Sequence, residues 1–404
     1  MGGFEPRPLR VMEARCVRGC SLTFVDAGET CVFGRLMFLD VRWCSPALAP
    51  CEWGATGRDP GDSWTMSIMG DREDRSIWPY GPVVFGCGNF GGIGGAREFV
   101  GKGMDEESSF AAMDEAAALG ILLFDTAERY AAGESERIIG RWPQSRPSSV
   151  TGPVRLATKV GPPWIDGRDG RFDIDYIDAL FTASLERLGV EEVDVLFTHA
   201  PDDHPQRPPG YEAVPIEVTL DALESLRASG RVHRLGASNI NAEQLTAALD
   251  AADRMGVTGY EVIQNGYNLL SPNGDADLRH LARERGLAYT AYSALASGVL
   301  TGKYHRDKPP PPGSLVDIGY LDPASPSLHD ALDQLRAAAQ ERDAEPGALA
   351  LAWLMTQPDV AAITTAPART PPHLALIGAA VSCEVSPEES AAWANWFISA
   401  ADIS

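Results

Sequence analysis

The chain contains very little lysine and no long apolar run. Only four of its 34 basic residues are lysine, and 56 acidic residues give it a net charge of −22. A surface this acidic argues against nucleic acid and anionic membranes as partners, because both attract basic patches. No run approaches the roughly 18 apolar residues of a membrane span, and the first residues lack a secretory pattern. We therefore expect a soluble, cytoplasmic protein that acts on a small molecule, and its oligomeric state stays open.

Cysteine is scarce after residue 51. Five of the seven cysteines lie in the first 51 residues, and only Cys87 and Cys383 follow. A disulfide framework is typical of small secreted domains, which this chain is not. Cys16 and Cys20 are spaced CxxxC, without the paired CxxC runs of a zinc site. We expect incidental thiols and no metal site.

Residues 1–65 show neither a helical nor a strand period, contain no lysine and end in a run rich in Gly, Asp and Pro. We interpret them as an irregular N-terminal extension, either poorly ordered or upstream of the true translation start. An ordered regulatory arm is the alternative. Met66 and Met69 follow, and regular patterning begins at Pro82, so residues 80–404 are expected to form the main domain.

From residue 82 onward, eight short β-rich runs alternate with amphipathic helical runs. This alternation is typical of βα units, and the even spacing favours a closed (β/α)₈ TIM barrel over a doubly wound open sheet. Helical stretches at 174–188 and 220–228 each end near a glycine, Gly189 and Gly230, as helix C-termini commonly do. The predicted strands are 83–86, 121–125, 155–159, 193–199, 234–237, 260–264, 288–292 and 360–364.

The run GCGNFG at residues 86–91 matches the GxGxxG pattern of a dinucleotide-binding turn. That motif needs a helix to open at its glycines, so that the pyrophosphate meets the helix N-terminus. Here the chain continues with three more glycines up to Gly95, and no helical period appears before about Ser108. We reject this motif and expect a flexible first loop.

Four polar residues stand at the carboxyl ends of three successive predicted strands. They are Asp125, Lys159 and His199, with Tyr130 in the loop after Asp125. Taken singly, each has a structural explanation, such as a helix N-cap for Asp125 or a satisfied core histidine for His199. Because catalytic groups of a barrel come from these strand ends, their coincidence favours an active site.

Together these residues are suited to proton transfer. A phenol is a poor acid at neutral pH, but an adjacent ammonium favours its ionised form and a carboxylate can hold that ammonium in place. Lys159 is notable because arginine is otherwise the chain's usual cation, and lysine offers a compact charge. His199 could orient a carbonyl oxygen. Carbonyl reduction needs this arrangement: a hydride for carbon and a proton for oxygen.

The segments that carry these residues resemble the aldo-keto reductase family over nearly all of residues 82–400. FDTAERY at 124–130 with GESE at 133–136 is similar to the family signature, TKVG at 158–161 to its lysine motif and LFTH at 196–199 to its histidine motif. The resemblance implies an NAD(P)H-dependent reductase of an aldehyde or ketone, with sugar-derived carbonyl compounds among the candidate substrates. Tyr130 would donate the proton, and Asp125, Lys159 and His199 would complete the tetrad.

Cofactor segments of the family are also matched. GASN at 236–239 and IQNGYN at 263–268 are similar to the segments that hold the nicotinamide amide, and AYSALASG at 291–298 followed by GKY to the stacking and pyrophosphate loop. The resemblance implies that Tyr292 stacks on the nicotinamide and Lys303 meets phosphate. The implied cofactor-binding residues are Ser238, Asn239, Gln264, Tyr292, Leu295, Lys303 and Arg369.

The last cofactor segment departs from the family pattern. The chain has APAR at 366–369, where Pro367 removes one backbone donor, and Leu376-Ile377 where relatives carry a Glu-Asn pair for the adenine. Arg369 could still clamp a 2′-phosphate, so NADPH is expected, with NADH as the alternative. Besides an enzyme, the pattern allows a cofactor-binding, redox-sensing regulatory subunit or a pseudoenzyme on the same barrel.

Overall fold

The computed structural model describes residues 10–15, 21–26, 77–317, 326–366 and 372–401. The chain divides into two compact units, Met1–Gly57 and Arg58–Ser404. In the first unit, β1 (Arg10–Arg15) and β2 (Ser21–Asp26) pair as an antiparallel hairpin. The segment expected to be irregular thus contains regular structure, because two six-residue strands offer too few alternating positions to stand out from the sequence.

Eight parallel strands close a barrel in the second unit, with the last strand paired back onto the first. The prediction of a (β/α)₈ barrel is therefore confirmed, and the open-sheet alternative is wrong. Two strands have the predicted bounds, three differ by one or two residues at one end, and three differ by one or two residues at both ends. The barrel strands are β3 (Val83–Gly86), β4 (Leu123–Asp125), β5 (Arg155–Val160), β6 (Val193–Thr198), β7 (Val232–Ser238), β8 (Val262–Gly266), β9 (Ala288–Tyr292) and β10 (Ala362–Thr365).

Helices surround the barrel, joined to the strands by loops and short 3₁₀ turns. Among the described residues, no helix is long and apolar enough to cross a membrane. The helices are α1 (Glu106–Ala118), α2 (Glu134–Arg141), α3 (Ser148–Thr151), α4 (Ile174–Leu188), α5 (Ile216–Ala228), α6 (Ala242–Met255), α7 (Ala276–Glu284), α8 (Pro326–Glu341), α9 (Pro346–Met355), α10 (Pro372–Val381) and α11 (Pro387–Ala401).

The helix α4 shows how local sequence sets an element. Asp173 caps its N-terminus by accepting a hydrogen bond from the backbone N–H of Tyr176, and Gly189 ends it in the left-handed conformation at φ +69°. Ile177 and Phe181, four residues apart, are buried on one face. The helix therefore has the bounds that its apolar period predicts.

The core has two layers. A small inner cluster fills the barrel, with Phe197 among its larger side chains, and a larger outer cluster lies between the strands and the helices. Trp78 and Tyr80 precede β3 and pack against the inner cluster, with their rings in a T-shaped contact at 4.9 Å. They close the amino-terminal end of the barrel, which leaves the carboxyl end of the strands for the polar site.

The first loop after β3 is packed and hydrogen-bonded, unlike the flexible loop expected from its glycines. Gly94 donates to the carbonyl of Gly88 at 2.7 Å, and Met104 donates to that of Asn89 at 2.7 Å. No helix begins at the GxGxxG run, since α1 starts only at Glu106. The rejection of a dinucleotide-binding turn is thus confirmed, and the glycines serve close packing instead.

A protein that begins at Met66 should fold and keep the thermal stability of the full chain. The barrel unit contains its own core, including Trp78 and Tyr80. We expect a midpoint of thermal unfolding within about 3 °C of the full-length value, measured by circular dichroism. Aggregation of the shortened protein, or a fall well beyond that range, would show that residues 1–65 contribute to the barrel's stability.

Candidate active site

The four residues predicted to form the tetrad come together at the carboxyl ends of β4, β5 and β6. Asp125 ends β4, Lys159 is the next-to-last residue of β5, and His199 follows β6 directly. Tyr130 opens a 3₁₀ turn in the loop after β4. Because these strands are neighbours in a parallel sheet, their ends converge on one edge.

Lys159 lies at the centre of this cluster and is fully buried. Its Nζ donates to Oδ2 of Asp125 at 2.6 Å and to the carbonyl oxygen of Thr126 at 2.8 Å. The same Nζ lies 5.2 Å from the centroid of the Tyr130 ring. The His199 ring meets the Tyr130 ring edge-on, with centroids 5.5 Å apart.

Burial and charge set the protonation states of Tyr130 and Lys159. Burial raises the pKa of Tyr130 above its ordinary value, although the Lys159 ammonium opposes that shift. Burial alone would lower the pKa of Lys159, but Asp125 and Tyr130 together outweigh burial, and the net direction is upward. At neutral pH, the cluster therefore holds a protonated phenol beside a charged ammonium.

His199 is neutral in this environment. Burial, followed by the positive charges of Lys159 and Arg129, holds its pKa well below the ordinary value. Its Nδ1 is buried and has no hydrogen-bond partner in the protein. A neutral imidazole keeps one N–H, so His199 can donate a hydrogen bond to an oxygen beside Tyr130 without adding charge.

A second set of predicted residues lies beside the first, at the ends of β7, β8 and β9. Ser238 donates to the carbonyl of Gln264 at 2.8 Å, and the Asn239 amide donates to the carbonyl of His199 at 2.7 Å. The Tyr292 hydroxyl donates to Oδ1 of Asn239 at 2.7 Å. Gln264 joins the two sets, because its amide nitrogen donates to Oδ1 of Asp125 at 3.2 Å.

The loop after β9 makes a tight turn beside Lys303. Ala296, Ser297 and Gly298 have φ values of +48°, +54° and +90°, all in the left-handed region. A Cβ added at Gly298 would lie 2.7 Å from Nζ of Lys303, so only glycine lets the ammonium approach the loop this closely. This arrangement could hold an anionic group.

Leu295 and Arg369 complete the set of predicted cofactor residues. Leu295 is only 5% exposed and belongs to the outer core, where an added Cβ at Gly347 would lie 3.7 Å from its side chain. Its side chain therefore supports the loop from beneath. Arg369 lies outside the described residues. Within the described part of the chain, no cluster of three or more His, Cys, Asp or Glu side chains could hold a metal ion.

Ser135 and Glu136 belong to the GESE run, and the sequence alone predicts no role for either residue. The Ser135 hydroxyl lies 2.8 Å from that of Thr126 and donates to the carbonyl of Cys87 at 2.9 Å. Glu136 is fully buried and accepts from the Thr158 hydroxyl at 2.6 Å and from Nε of Arg187 at 2.7 Å. These side chains fix α2 against the strand ends that carry Asp125 and Lys159.

Replacing Glu136 by Gln should destabilise the protein strongly. The change leaves the Arg187 guanidinium without its buried carboxylate, a loss worth about 3 kcal/mol in the free energy of unfolding, measured by urea denaturation. Glu134→Gln is the matched control, because this helix neighbour pairs with Arg141 at 38% side-chain exposure. Its expected cost is below about 1 kcal/mol. Equal effects of the two substitutions would contradict the structural role of Glu136.

Comparisons with known proteins agree with this fold. The model of the aldo/keto reductase family matches residues 82–396. The chain is 30% identical over 277 residues to the aldo-keto reductase str7 of Strobilurus tenacellus, covering 66% of this chain and 76% of that protein. It is 27% identical over 299 residues to the NADH-specific methylglyoxal reductase of Escherichia coli K12, covering 70% and 87%.

Two further similarities extend the range of relatives. A protein named "Probable voltage-gated potassium channel subunit beta" from Arabidopsis thaliana is 31% identical over 264 residues, covering 62% of this chain and 75% of that protein. The solved structure of a glycerol dehydrogenase from Gluconobacter oxydans superposes with a TM-score of 0.63 at 26% identity, covering 79% of this chain and 92% of that one. The chain belongs to the aldo-keto reductase family.

Proposed function

We propose that this protein is an NAD(P)H-dependent reductase that converts an aldehyde or ketone into the alcohol, with Tyr130 as the proton donor. One observation carries the proposal: the buried Lys159–Asp125 ion pair lies against the Tyr130 phenol, and a neutral His199 meets the same ring edge-on. A buried ammonium beside a phenol is the arrangement that general acid catalysis by tyrosine requires.

Each side chain has a separate task in the proposed reaction. Tyr130 gives its phenolic proton to the carbonyl oxygen, and Lys159 stabilises the phenolate left behind. Asp125 keeps Lys159 charged and in place through the 2.6 Å contact. His199 donates a hydrogen bond to the carbonyl oxygen and so orients the substrate. A reduced nicotinamide, when bound, supplies the hydride that goes to the carbonyl carbon.

The residues beside the tetrad fit such a dinucleotide. Asn239 and Gln264 present amide groups for a carboxamide, and the Tyr292 ring lies next to Asn239 at the same edge of the barrel. The Lys303 ammonium beside the loop at 296–298 suits a pyrophosphate, because a cation favours an anion. This arrangement supports a cofactor site next to Tyr130.

The similarities support a small carbonyl compound as substrate. One relative is named for methylglyoxal reduction and one for glycerol dehydrogenation, so both the reduction of a small aldehyde and the oxidation of a polyol lie within the range of this barrel. A sugar-derived aldehyde or ketone falls in the same chemical class. The stacked rings of Trp164 and His204, with centroids 5.7 Å apart, join the loop after β5 to the loop after β6.

A cofactor-binding regulatory subunit is the second candidate, and the similarity to the Arabidopsis protein favours it. The two functions differ in one measurable respect. An enzyme oxidises NADPH or NADH steadily in the presence of a carbonyl substrate, whereas a sensor binds the nucleotide without turnover. Fluorescence titration with both nucleotides, followed by a screen of small aldehydes and ketones, separates them.

Replacing Tyr130 by Phe should abolish carbonyl reduction while leaving nucleotide binding nearly unchanged. The proton donor is lost but the ring remains, so the rate should fall by about 10²–10⁴-fold. Tyr260→Phe is the matched control, because it removes a buried hydroxyl that forms a hydrogen bond with Thr198 at 3.3 Å. Steady-state kinetics and quenching titrations test both variants. Near-normal turnover of a pure Tyr130→Phe protein would overturn the assignment.

Replacing Arg369 by Ala should reduce the affinity for NADPH by roughly ten- to a hundredfold, and it should barely change the affinity for NADH. A guanidinium suits the 2′-phosphate that only NADPH carries. Each nucleotide serves as the control for the other in fluorescence titrations of the wild type and the variant. Equal wild-type affinities for the two nucleotides, or a proportional loss of both, would show that Arg369 does not contact this phosphate.

A further inference from the structure

Four side chains of alternating charge form a row of ion pairs next to Tyr130. Arg129 donates through Nε and Nη2 to Oδ1 of Asp166, at 3.2 and 2.9 Å. Arg168 donates to Oδ2 of the same Asp166 at 2.9 Å and to Oε2 of Glu128 at 2.8 Å. Because two cations alternate with two anions, this group of four side chains is neutral as a whole. It is therefore not suited to binding an anionic ligand.

This row of ion pairs joins the loop that carries Tyr130 to the loop after β5. Glu128 and Arg129 are the two residues immediately before Tyr130, and both are held from the 163–168 segment. Asp166 is the shared partner, with a side chain only 8% exposed, and its carbonyl also accepts from Arg97 at 3.2 Å. Three loops at the mouth of the barrel therefore meet at one residue, Asp166.

The backbone immediately after Tyr130 is strained. Ala131 and Ala132 have φ values of +49° and +55°, and a non-glycine residue in this region costs about 1 kcal/mol or more. Ala131 is held by its N–H, which donates to the carbonyl of Gly94 at 3.0 Å. A Cβ added at Gly92 would lie 2.8 Å from that of Ala131, so the turn also packs tightly against the first loop.

Strain of this kind persists only where the surroundings fix the backbone from more than one side. On the far side of Tyr130, the Gly92–Gly94 backbone fixes the turn. On the near side, the backbone N–H of Glu128 donates to the carbonyl of Lys159 at 3.1 Å, and the remaining tethers are side-chain contacts of Glu128 and Arg129. Substitutions in this row of ion pairs can therefore weaken the support of the strained turn without altering the barrel.

We propose that Arg129, clamped by Asp166, is a positioning residue that holds Tyr130 against Lys159. This inference rests on the proposed function where it concerns turnover. The charged groups that act on the Tyr130 phenol are Lys159, Asp125 and Arg129, and the His199 ring beside it is neutral. Among the causes acting on the pKa of Tyr130, Arg129 lowers it, in the same direction as Lys159.

The test compares Arg129→Met with Arg146→Met in the full-length protein. Both substitutions remove an arginine of similar side-chain exposure, 22% and 29%, from an ion pair with an aspartate. Arg146 pairs with Asp114 on α1 and is not among the groups acting on Tyr130. Thermal unfolding checks that each variant is folded, and Asp166→Asn provides a conservative second variant of the same contact.

Two measurements follow. The first is the ionisation of Tyr130, read as the ultraviolet absorbance of phenolate on alkaline titration, taken as the difference between each protein and its Tyr130→Phe counterpart. Arg129→Met should move this titration to higher pH, because a cation near the phenol is lost. The second is kcat for carbonyl reduction, which should fall about tenfold with little change in the KM for nucleotide.

The pair should also act as one unit. Arg129→Met and Asp166→Asn together should reduce kcat no more than the more damaging single substitution does, since each breaks the same contact. Independent, additive losses, an unmoved Tyr130 titration in Arg129→Met, or an equal loss in Arg146→Met would overturn the proposal. If the wild type showed no turnover, the proposed function would fail, and the Tyr130 titration alone would decide the role of Arg129.

Discussion

The site depends on keeping one ammonium group charged inside an apolar barrel. Lys159 is fully buried, and a buried ammonium without a partner costs several kcal/mol or loses its proton. Asp125 at 2.6 Å and the Thr126 carbonyl at 2.8 Å provide the compensation, and Gln264 in turn satisfies the second oxygen of Asp125 at 3.2 Å. This pair fixes the relative placement of β4, β5 and β8 at their carboxyl ends.

Side chains around the Lys159–Asp125 pair hold the ends of β4 and β5 in place. Glu136 holds Thr158, the residue before Lys159, and Ser135 holds Thr126, the residue after Asp125. The recurring Ser-Glu of the motif is therefore placed to keep the two strand ends in register, because a shift of either strand would break a fully buried hydrogen bond. Stability and site geometry are joined at these residues, since the same contacts serve both.

The environment of Tyr130 combines opposing influences. Burial disfavours the phenolate, while Lys159 favours it, and the balance leaves the phenol protonated at neutral pH but next to a charge that stabilises its conjugate base. The strained turn at Ala131–Ala132 aims the ring across the barrel mouth at His199. The glycines of the first loop allow this turn to pack closely, which explains a run that resembles a nucleotide-binding motif without functioning as one.

The local sequence was enough to predict the eight βα units, the bounds of α4 and the four candidate tetrad residues. Apolar periods and short motifs each span only a few neighbouring positions, so they are visible without the tertiary structure. Tertiary structure alone decided which distant groups meet. Gln264 contacts Asp125 across 139 residues, and Arg129 contacts Asp166 across 37. Such contacts follow from the closure and register of the barrel, which bring strand ends and loops together irrespective of their separation along the chain. For the same reason, the packing of the glycine loop and the burial of Glu136 between strand ends could not be predicted from the sequence alone.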